Sequence, residues 1–243
     1  MTMGLLDLPA PVFGAIEAVV ADHVPPLLRL GLWAAVAALA SIELYRLLSP
    51  QRRINAAMRR LQQAQRALAG FDGEFNEAMP LMGRMLRASG LRLALVFPAA
   101  IAASLPILAL LVWLDGAYGA RFPDAGQPVA VHARPGGLEA RWEGAASGAA
   151  GSVVVTDASR RPVVQAEVAT PVPTIHKWKW WNALIGNPAG YLPQEAPVDR
   201  IDIELPRLEV LSLGPAWMRG WEVPFFALFL VFALVAKWAR KVV

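Results

Sequence analysis

An uninterrupted apolar run from Leu93 to Leu114 constrains this chain more than any other feature. Its 22 uncharged residues, at about 1.5 Å of helical rise each, cross a hydrocarbon layer of roughly 30 Å with slight tilt. The expected fold class is therefore a polytopic α-helical membrane protein. Between Ser49 and Arg92 the sequence carries Arg52, Arg53, Arg59, Arg60, Arg66, Arg84, Arg87 and Arg92 against Asp72, Glu74 and Glu77. Short loops rich in Lys and Arg stay cytoplasmic, so residues 49–92 are expected to form a basic cytoplasmic segment.

Two further spans complete the expected membrane part. Residues 27–48 are mostly Leu, Ala and Val, with Arg29 near the start and Glu43, Tyr45 and Arg46 near the end; the two arginines can snorkel to opposite headgroup layers. Residues 221–238 hold an apolar core from Val223 to Ala236 between Trp221 and Trp238, and amphipathic rings favour the two interfaces. Lys237, Arg240 and Lys241 then place the tail, 239–243, inside. Three spans with an inside C-terminus require the N-terminus outside. The first 28 residues agree, with Asp7, Glu17 and Asp22 but no Lys or Arg.

That start lacks the basic region of a cleavable signal, so residues 1–26 are expected to remain. Val12, Ile16, Val19 and Val20 fall at roughly helical spacing within Pro11 to Val24, which predicts an amphipathic helix lying on the outer leaflet. The hydrophobic content of 56% fits the class, and the net charge of +4 is explained by topology rather than by nucleic acid, which is not an expected partner. No cysteine is present, which excludes disulfides and thiolate chemistry.

The basic segment reads as a helical hairpin. Ile54, Met58, Leu61, Gln65 and Leu68 alternate steps of four and three, a coiled-coil seam interrupted by one Gln. Ala69 and Gly70 end that helix, Asp72 is an N-cap candidate for a short helix through Phe75 and Met79, and Pro80 opens the next. Met58, Met79, Met82 and Met85 lie in the hairpin. Their flexible side chains suit either a face that contacts varied apolar clients or plain packing of one helix on the other.

Residues 115–220 change character. β-prone runs at Val129 to Ala133, Leu138 to Trp142, Ser152 to Thr156, Val163 to Ala169 and Arg200 to Leu205 are separated by turn-rich stretches, among them Arg134 to Gly137 and Gly144 to Gly151. Such spacing predicts a periplasmic all-β, sandwich-like domain. Within it, Lys177, Trp178, Lys179, Trp180 and Trp181 follow His176. Rings interleaved with amines fit contact with lipid headgroups, and equally a half-buried strand.

Enzyme signatures are missing: no G-x-S-x-G, H-E-x-x-H, Walker loop or G-x-G-x-x-G occurs. His23, His132 and His176 are far apart in sequence, and no catalytic, metal or cofactor site is expected.

The order of outer helix, span, basic cytoplasmic hairpin, span, outer connection and further span resembles the YidC/Oxa insertase superfamily, in particular its three-span members related to the third subunit of the ER membrane protein complex. The stretch from Leu44 through Tyr45, Arg46, Ser49 and Pro50 to Ile54 is similar to that group's span-to-hairpin junction, and the resemblance covers residues 5–114 and 221–243. It implies insertion of membrane-protein clients through a polar groove, which Ser41, Glu43, Tyr45, Arg46 and Ser104 would line; Glu43 and Arg46 are three apart and able to pair. Pro98 and Pro106 free backbone carbonyls in the second span. The chain departs from the plan in having no arginine at the centre of the first span and in its large outer β-domain. A 14-residue apolar core in the last span, about 21 Å long, favours local bilayer thinning. The alternative is a non-catalytic scaffold or assembly subunit of a larger inner-membrane complex of a bacterial cell, with the β-domain as its interaction module. On either reading the expected partners are the lipid bilayer and other membrane proteins.

Overall fold

The computed structural model describes residues 3–144 and 150–240, the side chain of residue 240 excepted. Residues 145–149 of the expected Gly144 to Gly151 turn, and Lys241 of the basic tail, lie outside the described residues. The elements run α1 (Ala10–Ala21), α2 (Pro26–Leu48), α3 (Gln51–Ala69), α4 (Phe75–Tyr118), β1 (Val131–Arg134), β2 (Glu139–Gly144), β3 (Gly151–Thr156), β4 (Pro162–Val168), β5 (Thr174–His176), β6 (Arg200–Ile203), α5 (Ala216–Arg219) and α6 (Glu222–Arg240), with short 3-10 turns at Leu5–Asp7 and Trp180–Ala183.

Among the described residues three helices, α2, α4 and α6, are long and apolar enough to cross a membrane. Their bare faces say the same. Leu32, Val36 and Leu39 on α2, Phe97, Ile101 and Leu105 on α4, and Leu230, Val231 and Leu234 on α6 are all exposed. A water-facing surface does not tolerate so much contiguous apolar area; hydrocarbon does. The buried positions of α2 and α4 are rich in alanine, with Ala37, Ala38, Ala99 and Ala103 all nearly inaccessible, as expected where small residues let helices approach closely without a hydrophobic drive between them.

The chain divides into two compact units, residues 1–34 with 108–229, and residues 35–107 with 230–243. In the first, two three-stranded antiparallel sheets form the β-domain, ordered β1-β6-β5 and β2-β3-β4. Ile201 of β6 stands opposite Ala133 of β1 and Ile175 of β5, while Arg200 is exposed and Asp202 half-buried, so alternation along β6 sends its isoleucines inward. In the other sheet Val155 of β3 faces Ala140 and Val164. Residues of both sheets, Val153, Val155, Val168, Ile175, Ile201 and Ile203 among them, meet in one hydrophobic cluster completed by Leu192 and Val198 from the loop between β5 and β6. The turn after β1 depends on Gly137, whose φ of 108° is open to glycine and strained for other residues. Five of the six strands among the described residues coincide with runs predicted from sequence. The sixth, β5, spans three residues between Pro173 and Lys177 and escapes a search for longer alternation.

In the second unit the hairpin forms with two differences. No helix ends at Met79 or restarts at Pro80: α4 runs unbroken for 44 residues with Pro80, Pro98 and Pro106 inside it. Pro80 is the sixth residue and gives up one bond, to the Asn76 carbonyl, which a helix continued by 38 further residues tolerates. The start is at Phe75, where the amides of Glu77 and Ala78 bond to the Glu74 carbonyl, and not at an Asp72 cap. The seam also shifts. Ile54, Ala57 and Leu61 are buried, Ala64 and Leu68 are half-buried, and Gln65 is exposed. Alanine therefore takes the positions expected for Met58 and Gln65, and the polar interruption disappears from the packed face.

Helix α6 is 19 residues long, about 28 Å at helical rise. Bilayer thinning is thus not required by the length of the helix itself. Trp238 is exposed as an interfacial ring would be, whereas Trp221 is buried and packs edge-on against Phe225 at 6.0 Å.

Candidate functional site

Helix α1 turns Phe13, Glu17 and Val20 toward the protein and leaves Val12, Ile16 and Val19 exposed. A helix that hides its carboxylate and bares Val12, Ile16 and Val19 is suited to an apolar medium. Phe13 meets the Trp33 ring at 5.4 Å and the Trp113 ring at 5.7 Å, and those two indoles are 5.0 Å apart. One turn further along α1, the Glu17 carboxylate accepts three hydrogen bonds. Oε1 accepts from Arg29 Nη1 at 2.6 Å and from the Tyr118 hydroxyl, and Oε2 accepts from Trp33 Nε1 at 2.8 Å. Arg29 also lies over the Tyr118 ring, 5.8 Å from its centre. The Arg29 and Glu17 side chains are only 15% and 13% exposed. Arg29 therefore does not snorkel: its charge is neutralised inside the protein, and the knot ties α1 to the beginning of α2 and the end of α4.

A second tie holds the N-terminal segment to the β-domain. The Leu6 amide bonds to the Leu184 carbonyl at 2.9 Å, and Asp7 Oδ2 accepts from the amides of Gly4 at 2.8 Å and Gly186 at 2.6 Å. The approach requires glycine at position 4, because a Cβ there would stand 2.5 Å from the Leu184 carbonyl carbon. Asp7→Ala is expected to cost about 2 kcal/mol by orphaning two amides that bond a charged group. Hydrogen exchange at Gly186 and Leu6 rising together in that variant, with β6 amides unchanged, is the measurement that checks it.

The lysine and tryptophan segment leaves the sheet after His176. Lys177 Nζ bonds Asp199 Oδ1 at 2.8 Å, the Lys179 amine stands 4.9 Å above the Trp181 ring, and the Lys179 amide donates to Asn182 Oδ1 at 2.8 Å. Trp178, Trp180 and Trp181 remain 48%, 72% and 43% exposed. The segment is thus not a half-buried strand but a ridge of bare rings braced from behind. The Lys177 ammonium holds the exposed Asp199 carboxyl below the usual carboxylate range, by its hydrogen bond first and its charge second. A depressed carboxylate stabilises above its unfolded-state pKa and loses that contribution as pH falls through its folded value. An NMR titration should place the Asp199 midpoint low, and Lys177→Met should return it toward that of a free aspartate.

Where α4 ends and α6 begins, a cavity of about 1000 Å³ opens, lined by Asp115, Glu222, Arg207, His176, Trp181 and Trp221 among others. Arg207 is carried there by an antiparallel bridge between Ala120 and Arg207, reinforced by the Arg121 amide bonding the Pro206 carbonyl at 2.9 Å.

The residues expected to line a groove lie on two helices, α2 and α4. Glu43 and Arg46 do pair, at 3.3 Å. The Ser41 hydroxyl bonds the Ala37 carbonyl and the Ser104 hydroxyl the Ile101 carbonyl, both at 2.7 Å, so each is spent on its own helix. Tyr45 is half-buried. In the hairpin, Met58, Met82 and Met85 are half-buried and Met79 is exposed. A groove of about 490 Å³ between α3 and α4 is lined instead by Arg60, Arg84, Arg87, Gln63, Leu81 and Leu91, with alanines. His132 stands 3.4 Å from Glu204 and His176 contacts the Lys177 carbonyl; among the described residues no group of three potential metal ligands comes together.

Sequence reasoning missed the Glu17 knot because its members are 12, 16 and 101 positions apart. The available signal was Arg29 and Trp33, four apart and so on one face of a helix, opposite a lone carboxylate in an otherwise apolar one. No protein-family model, curated protein or solved structure matches this chain.

Proposed function

We propose that the chain is a membrane-anchored, non-catalytic scaffold whose β-domain is the interaction module. The observation that supports this best is the double tie of the first unit. Asp7 bonds α1's leading segment to the Gly186 loop, and Glu17 bonds α1 to α2 and α4. A domain held this way presents the Trp178, Trp180 and Trp181 ridge as a pre-organised surface, and rigid aromatic anchors are what protein interfaces use most. On this reading residues 49–92 are cytoplasmic, the N-terminus and β-domain periplasmic, and the membrane a bacterial inner membrane, supported by the arginine distribution. A reporter inserted at Ala125 that is active only in the cytosol should stay silent.

A second reading, an insertase-type chaperone of membrane proteins, is favoured by the continuity of α2, α3 and α4 as span, basic hairpin and span. Photoreactive residues separate the two. Placed at Trp180, the probe should give one or a few adducts of fixed stoichiometry if the protein is a scaffold. Placed at Glu43, Arg46 and Met79, a ladder of nascent-chain adducts, with short-tailed membrane proteins scarce on depletion, belongs to an insertase.

A further inference from the structure

We propose that the cavity at the heads of α4 and α6 binds the phosphoethanolamine headgroup of a bilayer phospholipid. The inference goes beyond the scaffold reading and does not depend on it. The first support is location. Asp115 follows the apolar run of α4 directly, and Glu222 opens α6, so both carboxylates stand where an apolar helix meets the headgroup layer. The cavity is also lined by Leu111 and Val112, one turn deeper on α4, which gives an acyl chain an apolar exit.

Charge supplies the second support. Asp115 stands within electrostatic reach of both Glu222 and Arg207. Of the four lining carboxylates, Asp7 is engaged by the Gly4 and Gly186 amides and Glu204 stands 3.4 Å from His132. Asp115 and Glu222 with one guanidinium then leave room for one further cation, while the guanidinium offers a fork suited to a phosphate. A zwitterion with an ammonium at one end and a phosphodiester at the other answers both demands at once.

The third support is independent of charge. Trp221 lines the cavity and is only 5% exposed, yet its indole N–H has no acceptor among the described residues. A buried donor left unmade costs about 1–3 kcal/mol; with the indole turned slightly toward the cavity, a phosphate oxygen would satisfy it. A primary ammonium is favoured over choline because it donates hydrogen bonds to the carboxylates.

The test uses the full chain in detergent and native mass spectrometry with ethanolamine, choline and glycerol phospholipids of identical acyl chains. Retention of the ethanolamine lipid should exceed that of the other two by about tenfold, the effect of one good charge-assisted hydrogen bond. Asp115→Asn with Glu222→Gln should erase that preference. Trp221→Phe, which keeps the ring and removes the donor, should lower retention of all three lipids alike. Soluble glycerophosphoethanolamine should fail to displace the lipid. Equal retention of the three lipids by the unaltered protein, a preference that survives the double variant, or displacement by the soluble headgroup at equal concentration would each overturn the proposal. Should the double variant not fold by circular dichroism, Trp221→Phe carries that arm of the test, and unchanged retention of the ethanolamine lipid by it would overturn the proposal.

Discussion

Glu17→Ala will destabilise the protein by about 3–5 kcal/mol, the range for removing one member of a buried ion pair. The magnitude comes from what is left behind rather than from what is lost. With the carboxylate gone, the Arg29 guanidinium stays in a pocket where its side chain is only 15% exposed, and the Trp33 indole and Tyr118 hydroxyl lose their acceptor together. Glu17→Gln should fall well short of this, since its amide oxygen still accepts. Replacing Glu17 and Arg29 together by leucine should recover the part owed to the stranded guanidinium, because buried ion pairs exchanged for apolar side chains are often neutral, and leave the part owed to the Trp33 and Tyr118 donors. Thermal unfolding in detergent, arranged as a double-mutant cycle, measures all three. A Glu17→Ala cost under about 1 kcal/mol, the worth of an exposed pair, would mean that water reaches Arg29 and that the knot is ornamental.

The second large effect is expected in the β-domain core. Ile201 is fully buried and stands between Ala133 and Ile175, so Ile201→Ala opens a cavity among side chains drawn from both sheets. The expected cost is about 2–5 kcal/mol, with the lower end reached only if Leu192 and Val198 collapse inward. Val163→Ala on the exposed side of β4 should change stability by no more than about 0.5 kcal/mol. Hydrogen exchange read separately in each sheet distinguishes one core from two. Protection lost in β2, β3 and β4 as well as in β1, β5 and β6 is the expected result; loss confined to the β6 sheet would show that the sheets are stabilised independently.

Legibility from sequence tracks the strength of each physical signal. A membrane span is a uniform demand for apolarity over many residues, and Leu93 to Leu114 meets it without needing any partner. Alternation exposes strands that have one wet and one dry face, as Arg200, Ile201, Asp202 and Ile203 do. Alanine is where the reading failed in the hairpin. Ala57 and Ala64 occupy the packed seam because their size permits close approach, yet they carry little hydrophobic weight beside Met58, which drew attention in their place. Pro80 misled for a related reason. Proline weakens a helix locally, but α4 is sustained by the long apolar stretch on the C-terminal side of Pro80. The candidate site was least legible of all, since the contacts of Glu17, Asp7 and Trp221 are made across elements that no spacing rule connects. The hydroxyl protons of Ser41 and Ser104 go to helix carbonyls about one turn back, a competition that residue type alone does not reveal.

The bond between Asp7 and Gly186 joins residues 179 positions apart. At a synthesis rate of about 5–20 residues per second, roughly 10 to 35 s pass between the appearance of one partner and the other. Throughout that interval the Asp7 carboxylate has only its local bond from the Gly4 amide, and the Gly186 partner is missing. Closure of the N-terminal strap is therefore a late event in the birth of the protein, and a nascent chain halted before Gly186 would present an unlatched, protease-sensitive leader.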